Sequence, residues 1–179
     1  MIYRTEYAST LVGPLLLTSD GGALLGCWFK HGRYVGHGIS EPMHDAPGLD
    51  IFVQTASWLD HYFAGDRPNP HELPLAPAPT PFQARVREAM LAIPYGSTAT
   101  YGNIAAAIEH KTGARQSARA VGGAVGHNPL CIIVPCHRVM GAHGNLTGFG
   151  GGIDAKVALL AHEGALRDSF TRSTHGTAL

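Results

Sequence analysis

Cys136 and His137 stand side by side in the string Pro135-Cys136-His137-Arg138-Val139, directly after the apolar run Cys131-Ile132-Ile133-Val134. A cysteine attacks as its thiolate, and an adjacent imidazole can draw off the thiol proton and keep the pair charged. A Cys-His pair alone is compatible with a purely structural role. The neighbouring strings narrow the reading: Asn128-Pro129 lies upstream, Gly148-Phe149-Gly150-Gly151-Gly152 downstream, and Leu159-Leu160-Ala161-His162-Glu163-Gly164 after that.

Taken together and at these spacings, the strings resemble the O6-alkylguanine-DNA alkyltransferases from about Pro81 to Gly164, with weaker likeness over the first eighty residues. The resemblance implies irreversible, single-turnover transfer of an alkyl group from the O6 oxygen of guanine, and potentially O4-alkylthymine, onto the protein's own cysteine. It makes Cys136 the nucleophile, His137 its base through a bridging water, and Glu163 the carboxylate that orients His137, the logic of hydrolase triads put to alkyl transfer. Asn128 is expected to bond backbone and hold the active-site turn. Tyr101, matched through Thr100-Tyr101-Gly102, is expected to offer its hydroxyl to the departing guanine. Val139, Phe149 and Gly150 are assigned to the walls of a base pocket, with main-chain groups near Cys136 and Val139 reading the guanine edge and Cys131 at the rim as a second thiol.

The target atom lies inside a stacked duplex, so the nucleotide must be rotated out at a cost of a few kcal/mol. Arg119 stands at the position of the family's intercalating arginine. The segment around it, Ala118-Arg119-Ala120-Val121-Gly122-Gly123-Ala124-Val125, has almost no side chain long enough to read bases. The resemblance places this helix in the minor groove, with Ala118, Ala120, Gly122 and Gly123 allowing close approach; tight packing against another helix is the alternative for such small residues. Three departures from the family pattern stand out: Phe149 replaces a common Tyr, Arg87 replaces a common Trp, and the break between the two helices looks long.

These residues need elements to position them. Pro81 to Ala92 reads as a helix with Phe82, Val86, Met90 and Ile93 on one face; Thr100 caps a second helix through Ile108; Glu109 to Gln116 forms a break; and Ser117 to Val125 forms a third helix. The last two make a helix-turn-helix, a form used to set a helix in a DNA groove. The run Cys131 to Val134 reads as strand-like. Upstream, Gly13 to Thr18 and Ala23 to Phe29 flank the turn Ser19-Asp20-Gly21-Gly22 as a hairpin, Ile2 to Tyr7 adds a third strand, and Asp50 to Phe63 is an amphipathic helix. This sheet-plus-helix unit resembles the family's ribonuclease-H-like amino-terminal domain, for which the resemblance implies no direct chemical role. Between the units, residues 66 to 81 hold six of the twelve prolines and read as an extended linker. The expected organisation is therefore an α/β two-domain chain: a ribonuclease-H-like domain over 1–65, the linker over 66–81, a mainly α DNA-binding and alkyl-transfer domain over 82–168, and a tail over 169–179 with no readable role.

Composition sets the outer bounds. The 179 residues are 45% hydrophobic, enough for a core. Apolar runs are too short to span a bilayer and Met1-Ile2-Tyr3-Arg4 begins no signal peptide, so a cytoplasmic protein without membrane attachment is expected. Three cysteines, Cys27, Cys131 and Cys136, read as reduced thiols, and the ligand spacings of a closed zinc site are missing, so neither metal nor other cofactor is expected. Residues 1–79 hold four Lys/Arg against eight Asp/Glu, and residues 80–179 hold nine against five, so the halves carry −4 and +4. From His110 to Ile153 there is no acidic residue, while Lys111, Arg115, Arg119 and Arg138 are present, a surface suited to a phosphate backbone. Double-stranded DNA bearing O6-alkylguanine is the expected partner of a monomer, binding cooperatively or singly. Two other readings fit the residues: a helix-turn-helix regulator with an inert cysteine, and a cysteine hydrolase, which would turn over and regenerate its thiol.

Overall fold

The structure, a computed structural model, describes residues 1–172. Its first part is a four-stranded mixed sheet. Strands β1 (Ile2–Tyr7), β2 (Leu15–Ser19), β3 (Leu24–Phe29) and β4 (Met43–Asp45) lie in the order β3-β2-β1-β4, antiparallel except for the β1–β4 pair. The expected hairpin is present because Asp20 closes it: its Oδ1 accepts from the main-chain N–H of Gly22 and Ala23 at 2.9 and 2.8 Å. β4 carries almost no apolar signal, having only three residues, two of them exposed, and it was not expected.

Helix α1 (Asp50–Phe63) covers the sheet with Ile51, Phe52, Thr55, Trp58, Leu59 and Tyr62, the face that the helical spacing requires. The proline-rich segment that follows is extended, as its composition demands, but it is pinned along β3. Leu24 donates its N–H to the Pro74 carbonyl at 2.8 Å, Ala76 donates to Leu24 at 2.9 Å, and the Trp58 indole donates to Asn69 at 3.0 Å.

Helix α2 (Pro81–Leu91) starts on a Thr80 cap with proline in its first turn. Arg87, on this helix, donates to the Ala76 carbonyl at 2.6 Å and so ties α2 to the proline-rich segment. A short strand β5 (Ala99–Thr100) leads into α3 (Tyr101–Thr112), whose start is a capping box: Asn103 donates its N–H to the Thr100 hydroxyl at 3.0 Å, and Thr100 donates its own N–H to the Asn103 side chain at 2.9 Å.

The expected end of α3 at Ile108 is too early. The helix continues to Thr112, whose hydroxyl donates back to the Ile108 carbonyl, and stops at Gly113, where φ is +71°. The break before α4 (Ala118–Gly126) therefore spans only 113–117, shorter than the 109–116 expected.

Short strand β6 (Val139–Met140) pairs with β5, β7 (Asn145–Leu146) precedes α5 (Ile153–His162), and β8 (Thr171–Arg172) pairs with β7. The first residues of the expected tail thus join a sheet; positions 173–179 of that tail lie outside the described residues. One buried cluster runs through both parts of the chain, from Leu15, Leu17 and Trp58 through Val86 and Ile104 to Leu130, Ile133 and Val139. Among the described residues no helix is long and apolar enough to cross a membrane.

Candidate active site

The thiol is presented by a chain of tight turns and not by a strand. The N–H of Ile133 donates to the Cys131 carbonyl at 2.9 Å around Ile132, whose φ is +73°, and the N–H of Cys136 donates to the Val134 carbonyl at 2.8 Å around Pro135. These are successive γ-turns, the first of the strained, positive-φ kind. A β-branched residue there costs about 1–3 kcal/mol and persists only where its surroundings dictate the conformation. The surroundings here do so: Cys131 donates its N–H to Cys27 at 2.9 Å, and Cys27 donates to Pro129 at 2.7 Å. Asn128 completes the brace by donating to the Val134 carbonyl at 2.9 Å and accepting from the N–H of Leu130 at 3.1 Å, the bonds expected of it. The apolar run that reads as a strand is thus a buried turn, since its neighbours on both sides are satisfied by β3 and by Asn128.

Cys136 opens a single 3-10 turn that also contains His137 and Arg138. Behind it lies Glu163, the residue that ends α5, buried together with His137. Every group around this carboxylate donates to it. His137 Nε2 is 2.7 Å from Oε1, the Tyr62 hydroxyl 2.8 Å from Oε1, and Arg138 grips both oxygens at 2.8 and 3.0 Å. Burial works against ionisation of Glu163, but the bonds from His137 and Arg138 outweigh it and hold the carboxyl well below the usual range. Burial likewise pushes the His137 imidazolium down, against the pull of Glu163, so the ring is neutral at neutral pH. The contact between them is accordingly a hydrogen bond from imidazole to carboxylate. It requires the proton on Nε2 and leaves Nδ1, a buried atom with no partner among the described residues, free to accept.

The Cys136 thiol is lowered from its ordinary value, first by contact with the Cys131 thiol and then, against burial, by the Asn128 amide and the Lys156 charge. Lys156 is fully buried on α5, donates to the carbonyls of Val139 and Thr147, and is pushed down to about 8 by desolvation. Tyr101 is half-buried, donates to the Thr147 carbonyl at 3.4 Å, and is pushed up to about 12 by burial and by the nearby Cys136.

Cys136, Cys131, Asn128, Phe149 and Gly150 line one small cavity of about 10 Å³, with Trp28, Gly32, Arg33 and Tyr34 on the opposite wall. That is room for about one water molecule and none for a base. The amino-terminal unit therefore reaches further into the site than expected, both as this wall and through Tyr62. Phe29 and Phe149 meet edge to face across it at 5.3 Å. Val139 is the exception among the expected wall residues. It is fully buried behind the cavity, its N–H donates to Cys136 and its carbonyl accepts from Lys156, so its main-chain groups already serve the fold.

Helix α4 begins at an exposed Ala118-Arg119-Ala120 and reaches the cavity through Val125 and Gly126. Gly123 has open space where a Cβ would point. Gly122 differs from the expectation: it is buried on the face that carries Val121 and Val125, so its closeness serves packing within the protein. Arg138 also leaves the expected phosphate-facing set, because Glu163 and the Ile93 carbonyl at 2.7 Å consume its donors. Lys111 pairs with Glu88 at 3.1 Å, while Arg115 and Arg119 remain exposed.

The family model described as "6-O-methylguanine DNA methyltransferase, DNA binding domain" matches residues 81–165. A Mycobacterium tuberculosis protein named methylated-DNA-protein-cysteine methyltransferase is 45% identical over 163 residues, 90% of this chain and 91% of the relative. The chain belongs to the methylated-DNA-protein-cysteine methyltransferase family. A Haemophilus influenzae member is 39% identical over 162 residues, covering 90% of this chain and 86% of its own. The structure of Mycobacterium tuberculosis OGT in complex with DNA superposes with a TM-score of 0.76 at 43% identity, covering 90% of this chain and 92% of that one. The Pyrococcus kodakaraensis enzyme shares the α/β fold, with a TM-score of 0.65 at 24% identity.

Besides the amino-terminal wall residues, three residues of the site escaped the sequence reading. Arg138 lies inside the diagnostic string and was given to the surface. Lys156 carried a signal, since it shares a helix face with the apolar Leu159 and Leu160 at i+3 and i+4. Tyr62 had none, because its place on the apolar face of α1 says nothing of where its hydroxyl goes.

Proposed function

We propose that the protein is a direct-reversal DNA repair methyltransferase that removes the alkyl group from O6-alkylguanine in duplex DNA and keeps it on Cys136. The observation that carries the reading is the buried His137–Glu163 pair, bonded at 2.7 Å and adjoining the buried Cys136, in a chain of this family. In the reaction the Cys136 proton passes through a bridging water to His137 Nδ1, which has no hydrogen-bond partner of its own among the described residues. The thiolate then attacks the alkyl carbon in line with the C–O6 bond. The C–S bond forms, the C–O6 bond breaks, its electron pair passes to the guanine, and the base takes its proton from the Tyr101 hydroxyl, which solvent reprotonates while His137 releases to solvent the proton it took from Cys136.

A thioether is a poor leaving group and the relay offers no route back, so each molecule reacts once. Base entry requires the walls formed by Arg33, Tyr34, Phe149 and Gly150 to part, because the cavity is far smaller than a base. Arg119, at the exposed start of α4, fills the gap left by the rotated nucleotide, with Ala118, Ala120 and Gly123 allowing the helix to lie close to the minor groove.

The same reading takes α3 and α4 as a helix-turn-helix, residues 1–65 as a ribonuclease-H-like domain joined by 66–81 to an alkyl-transfer domain over 82–168, and the protein as a cytoplasmic monomer. The test is intact-mass measurement after mixing with a duplex carrying one O6-methylguanine. A lasting gain of one methyl group per protein is expected. An unchanged mass with retained DNA binding would favour the regulator, and turnover with a free thiol the hydrolase.

A further inference from the structure

We propose that Cys131 is a positioning residue for this reaction, its S–H donating to the Cys136 sulfur as the thiolate forms and returning to the Asn128 carbonyl once that sulfur is alkylated. The inference rests on the alkyl-transfer reading and deepens it.

Both sulfurs face the same cavity of about 10 Å³, and both residues are almost wholly buried, Cys131 at 7% and Cys136 at 5% exposure. With space for at most about one water, a thiolate in this cavity depends on donors that the protein supplies. The Asn128 amide and the Lys156 charge are two of them, and the Cys131 thiol, on the wall of the same cavity, is the third.

The Cys131 S–H has two places to go. Its sulfur is 3.7 Å from the Asn128 carbonyl, and the same thiol lines the cavity that Cys136 lines. A single proton serves only one acceptor at a time. A carbonyl is a neutral acceptor, whereas a hydrogen bond to an ionised partner is roughly twice as strong. Ionisation of Cys136 therefore draws the S–H across, and conversion of the thiolate to a thioether, a weak acceptor, releases it.

The backbone holds Cys131 for this purpose, its N–H bonded to Cys27 and its carbonyl accepting from Ile133 in the strained turn. Cys131 keeps its own proton throughout, since the Cys136 contact and burial push its ionisation well up. The atoms of the transfer balance without it: the C–S bond forms on Cys136, the C–O6 bond breaks, and the proton for the base comes from the Tyr101 hydroxyl.

The experiment compares Cys131→Ala, Cys131→Val and Cys131→Ser with the unaltered protein by two readouts. One is the far-ultraviolet thiolate titration of Cys136, taken as the difference from a Cys136→Ser background. The other is the single-turnover rate of methyl uptake from an O6-methylguanine duplex. Ala and Val are expected to raise the thiolate midpoint by about one pH unit and to slow uptake at neutral pH about tenfold, with Ser, which keeps a donor, recovering most of both. Val refills the space without donating, so a purely structural role would let it behave like the unaltered protein. An unmoved midpoint in Ala and Val, or Ser no better than Ala, overturns the proposal. If the unaltered protein takes up no methyl group while the midpoint shifts as described, the transfer reading falls and the donor role of Cys131 stands.

Discussion

Replacing Glu163 by Gln tests the relay most directly, because the carboxylate has only donors around it. Oε1 receives His137 Nε2, the Tyr62 hydroxyl and one Arg138 nitrogen, while Oε2 receives Arg138 Nε and, at 3.4 Å, the N–H of Gly96. A glutamine must point its NH2 at one of these sets. On the Oε2 side it meets two donors that cannot adapt. On the Oε1 side only the Arg138 nitrogen cannot adapt, while His137 can shift its proton and Tyr62 can rotate to accept, so the amide settles there and forces the His137 proton onto Nδ1.

The ring then cannot accept from Cys136, and the loss expected for a misplaced general base is on the order of 10²–10⁴ in rate. The fold suffers separately. Arg138 loses half of a mostly buried ion pair, a cost of about 2–4 kcal/mol that lowers the melting temperature by on the order of 10 °C in a protein of this size. Single-turnover methyl uptake from an O6-methylguanine duplex, followed by quench and mass measurement well below the melting temperature, separates the two effects. A variant that melts early but reacts at the unaltered rate would show that the tautomer argument is wrong.

Cys136→Ser should take up no methyl group yet still bind duplex DNA, and peptide mapping of the unaltered protein should place the methyl on Cys136; finding it on Cys27 or Cys131 would displace the assignment. Arg119→Ala should slow repair of duplex DNA strongly while leaving reaction with a free-base substrate such as O6-benzylguanine nearly unchanged, because the arginine acts only when a base must leave the stack; equal losses on both would give Arg119 a role in the fold. Gly26→Ala should destabilise the sheet, since its Cβ would come within 1.9 Å of the Trp28 ring, an overpacking cost of about 1–3 kcal/mol visible in urea denaturation. Acid should also destabilise the protein. The folded chain holds His137 below its ordinary value, so as pH falls through about 6.5 the unfolded chain binds a proton that the folded chain refuses, and below about 4.3 the depressed Glu163 adds to the loss. Denaturation midpoints that hold steady or rise between about pH 7 and about pH 5 would contradict that sign.

The sequence by itself determined the family, because the string from Asn128 to Glu163 carries its residue types at family spacing, and with it the reading of Cys136 as nucleophile. It also determined α1, whose apolar face has the period of a helix, and the β2–β3 hairpin, whose turn residues act locally. It ended α3 four residues early, since exposed helix turns leave little apolar pattern to read. It took 131–134 for a strand, because a short buried turn and a buried strand have the same apolar composition; what separates them is where the backbone hydrogen bonds go, and Asn128 and Cys27 decide that from a distance. The same limit explains Arg138, Lys156 and Tyr62. A basic residue or a tyrosine hydroxyl commits to a partner only when the fold removes water from around it, and that partner, a carboxylate 25 or 101 residues away or a carbonyl on another turn, is a product of tertiary packing.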